Sequence, residues 1–88
     1  MKKKYRTTDE RVKLLSGDVV KIAREMREWT QLQLAQKTGI SPSHISDIEA
    51  NRVEIGRQRA IALAEALQIP APYIMFPTPN FYQMKEVA

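Results

Sequence analysis

The chain contains no cysteine among its 88 residues, and this absence excludes several classes of protein together. Without thiols there are no disulfide scaffolds, no cysteine-ligated zinc fingers and no thiol catalysis. Histidine is nearly as scarce: His44 is the only one, and no other residue stands near it at metal-ligand or catalytic spacing. We therefore expect no metal, no cofactor and no catalytic residue, and we predict that the protein is not an enzyme.

Long apolar runs are missing as well. No stretch approaches the ~18 residues that a membrane-spanning helix needs, and no signal-peptide core follows the basic start. We therefore expect a soluble, cytoplasmic protein that has no membrane partner. With 43% of its residues apolar, the chain is long enough for one globular domain with a small core.

The net charge of +4 is modest but unevenly distributed. Lys2, Lys3, Lys4 and Arg6 carry the whole excess, because the remainder of the chain holds equal numbers of basic and acidic groups. Two interpretations fit such a run: an arm that contacts DNA, or a solvated tail. In either case we treat residues 1–17 as a basic appendage to the domain.

The stretch from residue 30 to residue 52 contains two short helical patterns separated by a glycine. Gly39 stands where the first helix must stop and turn back, because a residue without Cβ takes positive φ at little cost. Thr30 is the expected N-cap of the first helix and Ser41 that of the second. Pro42 then suits the first turn of the second helix, where its missing N–H is not needed. This stretch predicts a helix, a tight turn and a second helix.

The second of these helices exposes an unusual set of side chains. The residues expected to face inward are Pro42, Ile45, Ile48 and Glu49. The opposite face then carries short or planar polar side chains, namely Ser43, His44, Ser46 and Asp47. Such side chains near a helix N-terminus are suited to reading base edges in the major groove of DNA.

Three further apolar patterns flank this stretch. Asp18 is the expected N-cap of a first helix that ends near Glu28, after a break at residues 16–17. A fourth helix is predicted from Arg57 to Leu67, and a one-turn helix at residues 72–76. The side chains expected in the core are Val19, Ile22, Ala23, Met26, Trp29, Leu32, Leu34, Ala35, Ala60, Ile61, Leu63, Ala64 and Leu67.

These residues resemble the Xre/Cro-type helix-turn-helix of phage repressors and small bacterial regulators. The matching residues are Thr30, Gln31, Leu34, Ala35, Gly39, Ile40, Ser41, Ile45, Ser46, Ile48, Glu49, Leu63, Ala64 and Leu67. The resemblance covers residues 18–76 and implies an all-α fold, a compact five-helix bundle of the lambda-repressor-like type, followed by a tail at residues 77–88. It also implies a homodimeric repressor that binds double-stranded DNA at a palindromic operator, with residues 42–49 as the recognition helix.

The resemblance implies roles for individual residues. The expected base-reading residues are Pro42, Ser43, His44, Ser46 and Asp47, and the expected phosphate contacts are Gln31, Asn51, Arg52 and Arg57. Arg24 and Glu49 match a structural ion pair of the family. Pro42 is a departure, because proline offers only apolar contact, for example with a thymine methyl group. Asn51 stands where many relatives have glycine, and asparagine tolerates the left-handed conformation. A simple solvent-exposed position is the alternative for His44.

Apolar residues without a clear core role collect at the C-terminal end. We predict a two-fold dimer interface formed by Tyr73, Met75, Phe76, Phe81, Tyr82 and Met84. In the alternative interpretation, Tyr73 and Phe76 only complete the core of the monomer.

A second function remains open beside the repressor. Residues 55–60 and 73–77 are similar to those of small antitoxin-type regulators, which neutralise a partner and repress their own operon. The partner would then be a small basic toxin protein bound by the appended ends of the chain.

Overall fold

Five helices make up the part of the chain that the computed structural model describes, residues 14–77. They are α1 (Ser16–Met26), α2 (Gln31–Thr38), α3 (Pro42–Glu49), α4 (Arg57–Leu67) and α5 (Ala71–Met75). Within these residues there is no strand, so the predicted all-α, five-helix fold is confirmed. The bounds of α3 and α4 are those predicted, and α5 begins one residue earlier than expected.

The start of α1 differs from the prediction. Ser16 and Gly17 belong to the helix, and Leu15 rather than Asp18 is its N-cap. Asp18 instead lies in the first turn, where its Oδ2 accepts a hydrogen bond from the Leu15 N–H at 3.0 Å. The assignment of Asp18 as the cap was wrong because Gly17 does not interrupt the helix. Instead, its missing side chain allows α1 to approach the Ile48 carbonyl oxygen closely.

The core lies between α1 and the other helices. Helix α1 packs against α3, α4 and α5, and α2 packs against α3 and α4. Residues Val19, Val20, Leu34, Ile45, Ile48, Leu63, Leu67 and Ile74 are all fully buried. Val20 was missed by the apolar pattern, because contacts with three helices bury more of α1 than one stripe. Met26 and Trp29 are only partly buried, although both pack against the core.

Three side chains expected to face inward are exposed instead. Leu32 is 54% exposed and Ile61 is 42% exposed. Leu32 lies two residues before Leu34, which places it about 200° around the helix axis, on the opposite side. Ile61 is one residue, about 100°, from the buried Ala60. Pro42 is also exposed, because it occupies the outermost turn of α3.

One left-handed residue caps α4, and two others follow α1 and α3. Helix α1 stops at Met26 rather than near Glu28, and Glu28 itself has φ 59°. Gln68 caps α4 with φ 58°, and Asn51 has φ 61° shortly after α3. These positions turn the chain sharply, so that short connections suffice between packed helices.

Candidate nucleic-acid interface

Local hydrogen bonds determine the turn between α2 and α3. Thr30 and Gln33 form a capping box: Thr30 Oγ1 accepts from Gln33 N at 3.0 Å and Gln33 Oε1 accepts from Thr30 N at 2.8 Å. Gly39 takes φ 78° and ends α2. Ser41 Oγ then accepts from His44 N at 3.2 Å and caps α3. The predicted positive φ at Gly39 and both predicted N-caps are confirmed.

A buried network holds the C-terminal end of α3 against α1 and the start of α2. Arg24 Nε donates to Glu49 Oε2 at 2.7 Å, and Arg24 Nη2 donates to Glu49 Oε1 at 2.9 Å. The remaining nitrogen, Arg24 Nη1, donates to the Trp29 carbonyl at 2.7 Å. Gln31 Nε2 donates to Glu49 Oε1 at 3.0 Å. The carboxylate therefore ties three helices together through charge-assisted hydrogen bonds.

The first turn of α3 projects away from this network. Pro42 and Ser43 are exposed, whereas His44, Ser46 and Asp47 are partly buried. The Nε2 atom of His44 is buried without a hydrogen-bond partner among the described residues. The His44 ring therefore leans against the protein and does not stand freely in solvent. The exposed N-terminal tip of α3 is therefore formed by the Pro42 ring and the Ser43 hydroxyl group.

A match to a known family covers this same region. Residues 20–74, more than half of the chain, match the HTH_3 family, described as helix-turn-helix. The matched span contains α2, the turn and α3 in full. The chain belongs to the HTH_3 helix-turn-helix family.

Solved structures similar to this helix-turn-helix domain agree with the family. One is the crystal structure of the P22 c2 repressor in complex with synthetic operator 9T in the presence of Tl⁺. Its sequence is 27% identical to this chain and its TM-score is 0.67, and the match covers 70% of this chain and 94% of the repressor chain. The solution structure of the P22 c2 repressor DNA-binding domain has 25% identity and a TM-score of 0.69, over 75% and 88%. No curated protein matches the sequence. The family and the fold are those of phage-repressor-like, DNA-binding transcriptional regulators, which are typically not enzymes.

The helix N-termini of this helix-turn-helix domain differ in their acidic residues. Helices α2, α3 and α4 have no acidic residue in the first turn, whereas α1 has Asp18. The N-cap of α4 is Gly56, which has no side chain to accept a capping hydrogen bond, and the exposed Arg57 is the first residue of the helix. Free N–H groups and the helix dipole favour anions at such ends. The N-termini of α2, α3 and α4 are thus suited to binding phosphate groups.

Two residues of opposite charge, one in α3 and one just after it, form an ion pair. Arg52 Nη1 donates to Asp47 Oδ1 at 3.2 Å, and the two side chains are 62% and 44% exposed. An exposed pair contributes little stability, so Arg52 can exchange this partner for a phosphate at small cost. The pair also partly neutralises the Asp47 carboxylate.

Asn51 makes contacts that sequence reasoning missed. Its left-handed conformation was anticipated, and φ 61° confirms it. The side chain, however, turns back to the start of α1: Oδ1 accepts from Gly17 N at 2.9 Å and Nδ2 donates to Asp18 Oδ1 at 3.0 Å. More than thirty residues separate these partners in the chain, and no local pattern indicates their contact.

The predicted dimer residues lie only partly within the described chain. Tyr73 is partly buried against the core, and Met75 and Phe76 are 40% and 69% exposed. Outside residues 14–77 lie Phe81, Tyr82 and Met84, together with the predicted arm of Lys2, Lys3, Lys4 and Arg6. Residues 14–77 contain no group of three or more potential metal ligands and no helix long and apolar enough to cross a membrane.

Proposed function

We propose that this protein is a homodimeric repressor that reads a palindromic operator with the N-terminal half of α3. The observation that carries the proposal is the projecting first turn of α3, in which Pro42 and Ser43 are exposed while Glu49 anchors the other end. A helix presented in this way fits the major groove, and its first side chains reach base edges.

The proposed base-reading residues offer different kinds of contact. Ser43 and Ser46 supply hydroxyl groups, His44 supplies the ring nitrogen other than the buried Nε2, and Pro42 supplies an apolar surface for a thymine methyl group. Asp47 accepts from a cytosine amino group, with Arg52 close by to offset its charge. The solved relative bound to a synthetic operator supports this use of the fold.

Phosphate contacts come from residues around the recognition helix. Arg52 and Arg57 are exposed cations. Gln31 is the first residue of α2, and the first turn of that helix contains no acidic residue. We propose that these three residues, and the arm of Lys2, Lys3, Lys4 and Arg6, bind the DNA backbone. Such contacts position the protein but carry no sequence information.

A dimer follows from the size of the module. One module of this kind buries only about 600–1,000 Å² on DNA, so useful specificity calls for two copies on half-sites ~34 Å apart. Phe76 is the most exposed large apolar side chain of residues 14–77, and Met75 lies beside it. We propose that these two residues, with Tyr73, Phe81, Tyr82 and Met84, form the two-fold interface.

Base reading is tested by replacing Ser43 or His44 with alanine. Each change is expected to weaken binding to the selected operator by roughly 1–3 kcal/mol and to relax preference at one base pair. The measurement is affinity for the operator and for random DNA, with Gln36→Ala, an exposed change in α2, as the control. Equal losses on both DNAs would contradict the assignment.

Phosphate contact is tested by Arg52→Ala. We expect binding to all sequences to weaken similarly and the slope of log K against log[salt] to fall by about one unit per subunit. Lys21→Ala removes an exposed charge from the middle of α1 and should leave the slope unchanged. If Arg52→Ala also leaves the slope unchanged, Arg52 does not touch the DNA backbone.

The interface is tested by truncation after Pro77 combined with Phe76→Asp. Phe76 is 69% exposed, so this change acts on association and spares the core, which Tyr73→Asp would not. We expect a folded monomer in sedimentation and a large loss of operator affinity. Leu32→Asp, at a side chain 54% exposed on α2, is the control for a charge on an apolar surface. A variant that remains dimeric would place the interface elsewhere.

The antitoxin alternative stays a prediction, because most of the appended ends lies outside the described residues. It requires a small basic protein that co-purifies with this one when the neighbouring gene is expressed.

A further inference from the structure

We infer that Asn51 is a positioning residue for DNA reading: it clips the end of α3 to the start of α1 and thereby sets the direction of the recognition helix. The inference rests on the proposed base reading by α3. It differs from the phosphate contact that the family resemblance implies for Asn51, because two groups of its side-chain amide already have partners within the protein.

The backbones of the two helices meet at Gly17. A Cβ added at Gly17 would overlap the Ile48 carbonyl oxygen and would lie 2.6 Å from Asn51 Oδ1. No side chain therefore fits between the start of α1 and the end of α3. We call the contact formed by Gly17, Asp18, Ile48 and Asn51 the α1–α3 clip.

The chemistry of asparagine suits this place. The position needs φ 61°, which asparagine tolerates better than most residues. It also needs an acceptor for the Gly17 N–H and a donor for the Asp18 carboxylate, and the amide supplies both. Aspartate would present only acceptors to Asp18, and glycine would keep the backbone turn but lose both hydrogen bonds.

The clip adds a second anchor to the Arg24–Glu49 pair. Gly17 and Arg24 are seven residues apart on α1, or about 10 Å along its axis. Core packing through Ile45 and Ile48 holds α3 in place, and two polar anchors at separate points along α1 limit its rotation more than one anchor does. Helix α3 is about 12 Å long, so a rotation of about 5° at its anchored end moves the reading turn by about 1 Å. Recognition sites tolerate only about 0.5 Å of displacement.

The test is Asn51→Gly in the full chain, with binding measured on the operator selected by the wild-type protein and on random DNA. Loss of the clip should reduce the operator-to-random affinity ratio roughly 3- to 30-fold, with little change on random DNA and an unchanged salt slope. Gln68→Gly is the matched control, because Gln68 is exposed, has φ 58° and is part of neither anchor. Its affinity ratio should equal that of the wild type.

A second variant approaches the clip from its other side. Asp18→Ala removes the partner of Asn51 Nδ2 and should lower the same ratio. The double variant should lose less than the sum of the two single variants, because both changes remove the same Asn51–Asp18 hydrogen bond.

Three results would overturn the inference. Equal losses on both DNAs would make Asn51 a phosphate contact, and a lower thermal midpoint with an unchanged ratio would make it structural only. An unchanged ratio and midpoint would show that the clip has no influence. A wild-type protein that selects no operator would instead overturn the proposed function itself, and the inference with it.

Discussion

Glu49→Ala is expected to lower the free energy of unfolding by about 3–5 kcal/mol, because it leaves the Arg24 guanidinium buried without its carboxylate. The side chains of Arg24 and Glu49 are only 11% and 3% exposed. The Trp29 carbonyl would remain as a partner, and Glu25 Oε2 lies 3.7 Å from Arg24 Nη2, but neither replaces a bidentate carboxylate. Small domains have only about 5–15 kcal/mol of stability, so much of it would be lost.

Urea unfolding followed by circular dichroism measures this effect. The matched control is the double variant Arg24→Met with Glu49→Leu, which removes both charges and fills similar volume. We expect the double variant to be more stable than Glu49→Ala, since no unpaired charge remains. A loss below about 1 kcal/mol for Glu49→Ala would contradict the claim that the pair is desolvated.

Gly17→Ala is expected to lower the free energy of unfolding by about 3 kcal/mol, the upper end of the usual range for overpacking. The reason is that the added methyl group would overlap the Ile48 backbone carbonyl. A backbone atom cannot move aside as the end of a flexible side chain can. Either α1 or α3 must therefore shift, and the Asn51 hydrogen bonds to α1 would be strained as well.

Gly56→Ala provides the control for the glycine change, with thermal unfolding as the measurement. A Cβ at Gly56 would have no atom within 4 Å, and its φ of −68° suits any residue. Gly56 is the N-cap of α4, where alanine is less favourable than glycine, so we expect Gly56→Ala to cost some stability but less than Gly17→Ala. If the two glycine variants behaved alike, the close approach of α1 to α3 would not exist in solution.

Local chemistry made the helix-turn-helix predictable from the sequence. Thr30, Gly39 and Ser41 act on atoms within a few residues of themselves, and the structure places them as caps and turn as expected. The bounds of α3 and α4 also followed from local signals, namely the cap, the proline and the apolar spacing. Such interactions have the same outcome wherever the segment packs, so a single sequence is enough to predict them.

Packing on several sides was harder to predict. A stripe of apolar residues shows that a helix is buried but not how widely. Val20 is fully buried because three helices pack against α1. Leu32 and Ile61 are exposed because the helices packed against α2 and α4 cover a different face of each from the one that carries these side chains. Hydrophobicity alone does not distinguish these cases, since an exposed apolar residue is common.

The sequence by itself determined the number of helices, the turn between α2 and α3, and the bounds of α3 and α4. The α1–α3 clip was decided only by the tertiary structure. Gly17 was interpreted as a helix break and Asn51 as a turn residue that contacts phosphate, yet they meet across 34 residues of chain. Whether a glycine breaks a helix or admits a neighbour depends on which backbone lies against it, and only the folded arrangement of α1 and α3 supplies that partner.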